Sequence, residues 1–227
     1  MKLQEYDFFV HQMINYETHI EKTLKKIAKE EKKSIQGTNC KNKSEKKSTK
    51  TKYARKNQYR FDSAKYLREI LGIDLTLAEG MDEKMLLDVI SVTGVDMSKW
   101  ATAQHFTSWL NLSPRRMITG GKYIGNQRRK TTNPATQAFR ISAQATGISS
   151  KGHLGILYRR LCSRKGKKTA TKAVARKIAV LFYTLVKNQQ EYDSQIIEQT
   201  EKEQEEKRIR NLEKIAKKLG YSIQRIA

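Results

Sequence analysis

The residues with the clearest chemical potential in this chain are Ile118-Thr119-Gly120-Gly121-Lys122. A hydroxyl stands directly before two glycines, where backbone can turn sharply and approach another backbone closely. Lys122 lies within the motif, and Arg115, Arg116, Arg128, Arg129 and Lys130 flank it with positive charge. A hydroxyl among guanidinium and ammonium groups suits attack on a phosphodiester, whose non-bridging oxygens need charge stabilisation. The same residues also read as a plain glycine turn. What the motif lacks is a base. From Met97 to Gln190 there is no Asp or Glu, while the window holds 19 Lys and Arg. This segment cannot bind a divalent metal through its own carboxylates, nor use one as a general base. The two cysteines, Cys40 and Cys162, stand far apart, with no clustered His at ligand spacing. No structural disulfide, zinc site or other cofactor is therefore expected in the chain.

The acid-free window is also a statement about partners. Ordinary protein surfaces intersperse both signs of charge, whereas a polyanion rewards a run of cations, because each neutralised phosphate releases condensed counterions. The net charge of +23 favours nucleic acid over a small acidic substrate. A membrane surface is the rival polyanion, yet no apolar run approaches the roughly 18 residues of a spanning helix. The N-terminus carries no signal-peptide pattern. The expectation is a reduced, cytoplasmic protein without a membrane partner.

Positioning these residues falls to helices. With two prolines, twelve glycines and little strand-like alternation, the chain is expected to be mainly α-helical. Leu3, Tyr6, Val10, Met13, Ile20, Leu24 and Ile27 recur at three and four spacings, broken at Glu17. They predict a coiled-coil-like helix over 1–33, suited either to pairing or to docking on the rest of the chain. Residues 34–60 form a basic, flexible linker that could lie as a strap along a phosphate backbone. The globular part spans 61–193. Ser63 is expected to cap its first helix, bearing Tyr66, Leu67 and Ile70, and a second helix carries Met85, Leu86, Val89 and Ile90 up to Gly94. The pair, with Gly80-Met81-Asp82 between them, is helix-hairpin-helix-like. It serves either as a structural hairpin or as a phosphate grip.

A short helix over Ala103–Leu110 precedes the Thr119 motif, and Ser113 beside it reads as a turn residue. Asn133-Pro134 opens a helix whose small residues, Ala135, Ala138, Ser142 and Ala145, allow close packing. After the basic turn Arg164-Lys165-Gly166-Lys167-Lys168 comes the strongest core helix, with Val174, Ile178, Leu181, Phe182 and Leu185. A charged helix and tail over 194–227 ends at Gly220, with Tyr221-Ser222-Ile223 as a short terminal strand.

In order and spacing these motifs resemble a known family. Leu110-Asn111-Leu112-Ser113-Pro114, Ile118-Thr119-Gly120-Gly121-Lys122, the small-residue helix and Leu157-Tyr158-Arg159-Arg160-Leu161 are similar to the C-terminal half of the insertion-sequence one-ten transposases, grouped also with the one-sixteen and nine-oh-two elements. The likeness continues through Lys172-Ala173-Val174-Ala175-Arg176-Lys177-Ile178-Ala179, Glu191-Tyr192-Asp193, Arg210-Asn211-Leu212 and Lys217-Lys218-Leu219-Gly220-Tyr221. Upstream, Arg55-Lys56-Asn57-Gln58, Phe61-Asp62 and Gly72-Ile73-Asp74-Leu75-Thr76 match one branch, so the likeness runs from about Arg55 onward.

The resemblance implies a helical transposase domain that follows a RuvC-like domain with a DEDD metal set and a coiled coil. In such transposases a serine of the C-terminal domain attaches covalently to DNA, a structured RNA guides target choice, and several subunits assemble through the coiled coil. Two departures follow. Met1 opens within the coiled-coil region, so the RuvC-like domain, where magnesium would bind, is expected to be missing. Thr119 stands where serine is common, and its extra methyl restricts χ1 and crowds attack. The expected function is the DNA-binding C-terminal part of a transposase, truncated and without autonomous strand transfer. Thr119 would be its hydroxyl nucleophile. Nucleic-acid contacts are expected from Arg115, Arg116, Gly120, Gly121, Lys122, Arg128, Arg129, Lys130, Arg140, Arg159, Arg160, Arg164, Lys167, Lys168, Lys172 and Arg176. Expected partners are DNA, a structured guide RNA, and a second copy or a full-length transposase. The alternative is a non-enzymatic RNA-binding protein or a regulatory DNA-binding protein.

Overall fold

The computed structural model describes residues 2–34, 59–114, 116–126 and 133–193, together with scattered positions between 209 and 220. Most of the linker (35–58) and the expected strand at Tyr221–Ile223 lie outside the described residues, as does most of the charged helix expected over 194–218. Chain packing divides into two units, Met1–Glu191 and Tyr192–Ala227. In the second, helical turns appear among 209–217, and Gly220 stops them with a φ of 79°.

The first unit is mainly helical, as expected, with one two-stranded sheet among the described residues. The helix α1 (Lys2–Ser34) is followed by α2 (Ser63–Leu71), a 3-10 turn at Leu75–Leu77, α3 (Glu83–Thr93) and α4 (Ala103–Trp109). Strands β1 (Arg116–Thr119) and β2 (Lys122–Asn126) come next, then α5 (Pro134–Ser149), α6 (His153–Lys165) and α7 (Lys167–Asn188). No helix of the described residues is long and apolar enough to cross a membrane.

The axis of the core is α7, packed by α4, α5 and α6. Val174, Ile178, Phe182 and Leu185 are buried as the periodicity predicts, while Leu181 is only half-buried. Phe106 of α4, Phe139 of α5 and Phe182 meet with ring centroids 5.9–6.3 Å apart, in edge-on and offset arrangements that suit aromatic quadrupoles. The small residues of α5 permit this close approach, with one correction: Ala145 is exposed and Ala143 is the buried alanine. Ala145 falls one position off the stripe set by Ala135, Ala138, Ser142 and Thr146, all buried.

Carboxylates begin the early helices. Asp62, not Ser63, caps α2, accepting from Lys65 N at 3.1 Å. Ser63 is the first helical residue, buried, and its hydroxyl donates to Glu83. Asp82 caps α3 through Met85 N at 2.8 Å. The turn between these helices packs inward. Gly80 has φ 82°, its carbonyl accepts from Ser142 Oγ, and a Cβ there would lie 2.8 Å from Ile178 Cδ1. With Met81 buried as well, the turn is packed into the core against α5 and α7.

The first helix docks on a face that shares Leu24 with the predicted stripe but is turned one position from most of the rest. Leu24 and Ala28 are buried with Ile70, beside Phe61, Tyr66, Leu87 and Val95. Glu21 accepts from the Tyr66 hydroxyl at 3.0 Å, and Glu17 Oε2 lies 3.8 Å from Arg60 Nε. Glu17, the apparent break in the apolar stripe, thus belongs to the docking face. Leu3, Tyr6, Met13, Ile20 and Ile27 remain exposed.

Candidate nucleic-acid interface

The Thr119 motif is the tip of a β-hairpin. Thr119 pairs with Lys122, leaving Gly120 and Gly121 as a two-residue loop with φ of 55° and 75°. Positive φ at both central residues is the type I′ geometry that matches the twist of the strands, and only glycine adopts it freely. A Cβ added at either glycine would meet nothing within 4 Å, so the tip is bare as well as tightly turned. Ile118 pairs with Tyr123, while Met117 pairs with Gly125 across an irregularity that leaves Ile124 as the extra residue of a bulge. Alternation therefore sets Ile118 and Tyr123 on one face, and Thr119, Lys122 and Met117 on the other. Both faces are open: Met117 is 43% exposed, Ile118 64%, Tyr123 60% and Ile124 63%. Thr119 and Lys122 are exposed too.

The strands were not legible in the overall composition, which points to helix. The local signal was there: Gly-Gly between two short runs holding Ile, Thr, Tyr and Ile is a hairpin pattern. Of the predicted contacts around it, Arg115, Arg128, Arg129 and Lys130 lie outside the described residues, and Arg116 is placed in β1 through its backbone. Ser113, the second hydroxyl nearby, is half-buried with its Oγ 3.0 Å from Thr107 Oγ1, and so is a turn residue.

The second group of cations surrounds Gly166, which ends α6 and begins α7 with a φ of 79°. Arg160 and Arg164 are four apart and exposed on α6. Arg164 and Lys165 fall in its last turn, where the helix dipole favours cations. On α7 the dipole argument reverses. Lys167 and Lys168 occupy the first turn, where positive charge is disfavoured, and among the described residues no side chain is seen to cap that end. From there Lys168, Lys172 and Arg176 form one row at four-residue spacing; the two lysines are exposed and Arg176 is half-buried. The exposed lysines and the helix dipole together make this end of α7 strongly positive.

Not every predicted cation is deployed this way. Arg159 Nη1 donates to Gly147 O at 3.0 Å and to Ser150 O at 2.9 Å, satisfying the end of α5. Arg140 is half-buried along α5. Lys187, outside the predicted set, donates to Ala101 O at 2.9 Å and to the Tyr183 hydroxyl at 2.8 Å, holding the loop before α4.

Among the described residues, a carboxylate enters the acid-free half from outside it. Glu79 accepts from Leu154 N at 2.9 Å, from Gly155 N at 3.0 Å and from the Ser150 hydroxyl, and so caps α6. Gly152 makes room, since a Cβ there would sit 2.7 Å from that carboxylate. At the boundary of the window, Asp96 accepts from Ser98 Oγ and Ser98 N, both at 2.8 Å, which hold its carboxyl below the usual range. Among the described residues no three His, Cys, Asp or Glu side chains converge as metal ligands would. The divalent metal that the resemblance implies belongs to a RuvC-like domain, and no step is assigned through one. No protein-family model matches the chain, and a search of curated proteins finds no match either.

Proposed function

We propose that this chain is a nucleic-acid-binding protein that acts on DNA as the phosphate-gripping, hydroxyl-bearing part of a transposase of the insertion-sequence one-ten type. The observation that carries the binding half of this reading is the uncapped, lysine-rich start of α7 and the row that continues to Arg176. Cations placed against a helix dipole oppose folding, and a local choice that opposes folding marks a functional surface. The order of motifs from Leu110 to Gly220 supports the transposase half.

In that role Thr119 Oγ1 attacks the scissile phosphorus, a P–O bond to one deoxyribose oxygen breaks, and that oxygen leaves with a proton. The hydroxyl proton must go to a base, and the stretch of sequence from Met97 to Gln190 offers no carboxylate for it. The chain by itself therefore binds DNA without efficient strand transfer, and the base comes from another domain or subunit. An RNA-binding role shares the cationic surface and is the second reading.

Salt dependence of binding to a duplex DNA and a folded RNA of matched length tests both. The DNA reading expects log K to fall by about 0.9 per neutralised phosphate for each tenfold rise in salt, with tight duplex binding. Preference for RNA alone overturns it in favour of the second reading, and a shallow slope on both overturns the cationic interface itself. Turnover by the isolated chain, abolished in Thr119→Ala, would refute the claim that a base must be supplied from elsewhere.

A further inference from the structure

We propose that the β1–β2 hairpin is an apolar probe for unstacked bases, with Tyr123 and Ile118 seating against the base pairs at a distorted step of duplex DNA. This rests on the DNA-binding reading above and specifies what the hairpin recognises. A two-stranded hairpin is marginal in water and needs cover on a face to gain stability. Here the packing is strand on strand, and both faces keep large apolar side chains in solvent. Among the described residues Tyr123 stacks on no other ring. Four exposed apolar side chains on one protrusion mark a contact surface.

The charge pattern selects the occupant. The described hairpin carries Arg116 and Lys122 with no carboxylate, and the whole window around it is acid-free. A second copy would bring cation against cation, whereas nucleic acid presents phosphates to Lys122 and stacked bases to the apolar face. Shape agrees. A two-stranded ribbon fits the roughly 12 Å major groove, and the glycine tip adds no side-chain bulk. An aromatic ring gains most from a base whose stacking partner is lost, and apolar wedges are used where base steps are opened. The alternation in the hairpin turns Thr119 and Lys122 to the opposite face, so one side meets bases while the other meets backbone.

The test compares a fully paired duplex with the same duplex carrying a two-nucleotide mismatched bubble, using the full chain. Wild type is expected to bind the bubble about tenfold more tightly, the equivalent of roughly 1.4 kcal/mol for one stacked base. The double variant Ile118→Ala, Tyr123→Ala should lose that preference yet retain the paired-duplex affinity and its salt slope. Tyr123→Phe should keep the preference, since stacking needs the ring and not the hydroxyl. Both alanine sites are exposed, and an unchanged thermal midpoint shows that the fold survives. Equal binding to both duplexes by wild type, or an unchanged preference in the double variant, overturns the hairpin proposal while duplex binding stands. Loss of self-association in the double variant, without any change in bubble preference, assigns the face to a second copy and overturns it too. Absence of salt-dependent duplex binding overturns the DNA reading beneath it.

Discussion

Two neighbouring helices begin in opposite ways. The start of α6 is closed by Glu79, a carboxylate from the loop before α3 that accepts from two of its amides and from Ser150. The start of α7, just past the end of α6, has no side-chain cap among the described residues and carries Lys167 and Lys168. The same unpaired amides and the same dipole face both ends. At α6 they are satisfied inside the fold, and at α7 they are presented outward with added positive charge. The division extends further. Asp62, Asp74 and Asp82 cap the elements that precede the acid-free window, and neutral Thr102 and Asn133 cap α4 and α5. Carboxylates that build the fold are therefore kept apart from the cations proposed to bind.

The largest effect is expected from breaking the closed end. Glu79→Ala orphans two amides and the Ser150 hydroxyl, and urea unfolding should show a loss of about 3 kcal/mol, since bonds to a charged group contribute about 1.5–3 kcal/mol each and add incompletely. Glu79→Gln keeps one acceptor oxygen but sets an NH2 donor where the other stood, and should lose about half as much. If Glu79→Ala instead weakened DNA binding with no change in stability, the two helix starts would not differ as described.

Removing the open end's cations is expected to act on binding alone. The triple variant Lys168→Ala, Lys172→Ala, Arg176→Ala should lower the salt slope by roughly 2–3, at about 0.9 for each phosphate that is no longer neutralised, with little change in unfolding midpoint. A slope equal to that of wild type would remove the row from the interface.

A sharper version makes the α7 start resemble the α6 start. Lys168→Asp places a carboxylate in the first turn of α7 and should raise stability by about 0.5–1 kcal/mol while weakening duplex binding. Thermal melts and fluorescence anisotropy on the same sample read both. A loss on both measurements would show that Lys168 serves packing.

The smallest effect concerns Asp96, at the edge of the acid-free window. Its carboxyl is held low by Ser98, so the folded state favours the ionised form. That contribution is present above the unfolded value near pH 4 and is lost as pH falls through the lower folded value. Asp96→Asn should therefore be slightly less stable than wild type at neutral pH and converge with it in acid, as followed by the urea midpoint against pH. A constant gap across that range would exclude ionisation as the source.

Local rules along the chain were enough to place several elements. Periodicity located α1, α3 and α7, Asn133-Pro134 marked the start of α5, and Gly94 and Gly220 marked stops, because each depends on residues within a turn or two. The acid-free window is likewise a sequence property. Tertiary structure decided where each charge is used, and those choices join residues far apart in the chain. Nothing near Glu79 says that it will cap a helix beginning at His153, nor does anything near Arg159 say that it will close α5. The docking face of α1 shared only part of its stripe, Leu24 above all, because burial at Ala28 depends on Ile70, and the polar Glu17 and Glu21 meet Arg60 and Tyr66. The hairpin lies between the two cases. Its turn was written in Gly120-Gly121, but whether its apolar side chains would be buried or left in water depended on which helices packed against it, and only the fold settles that.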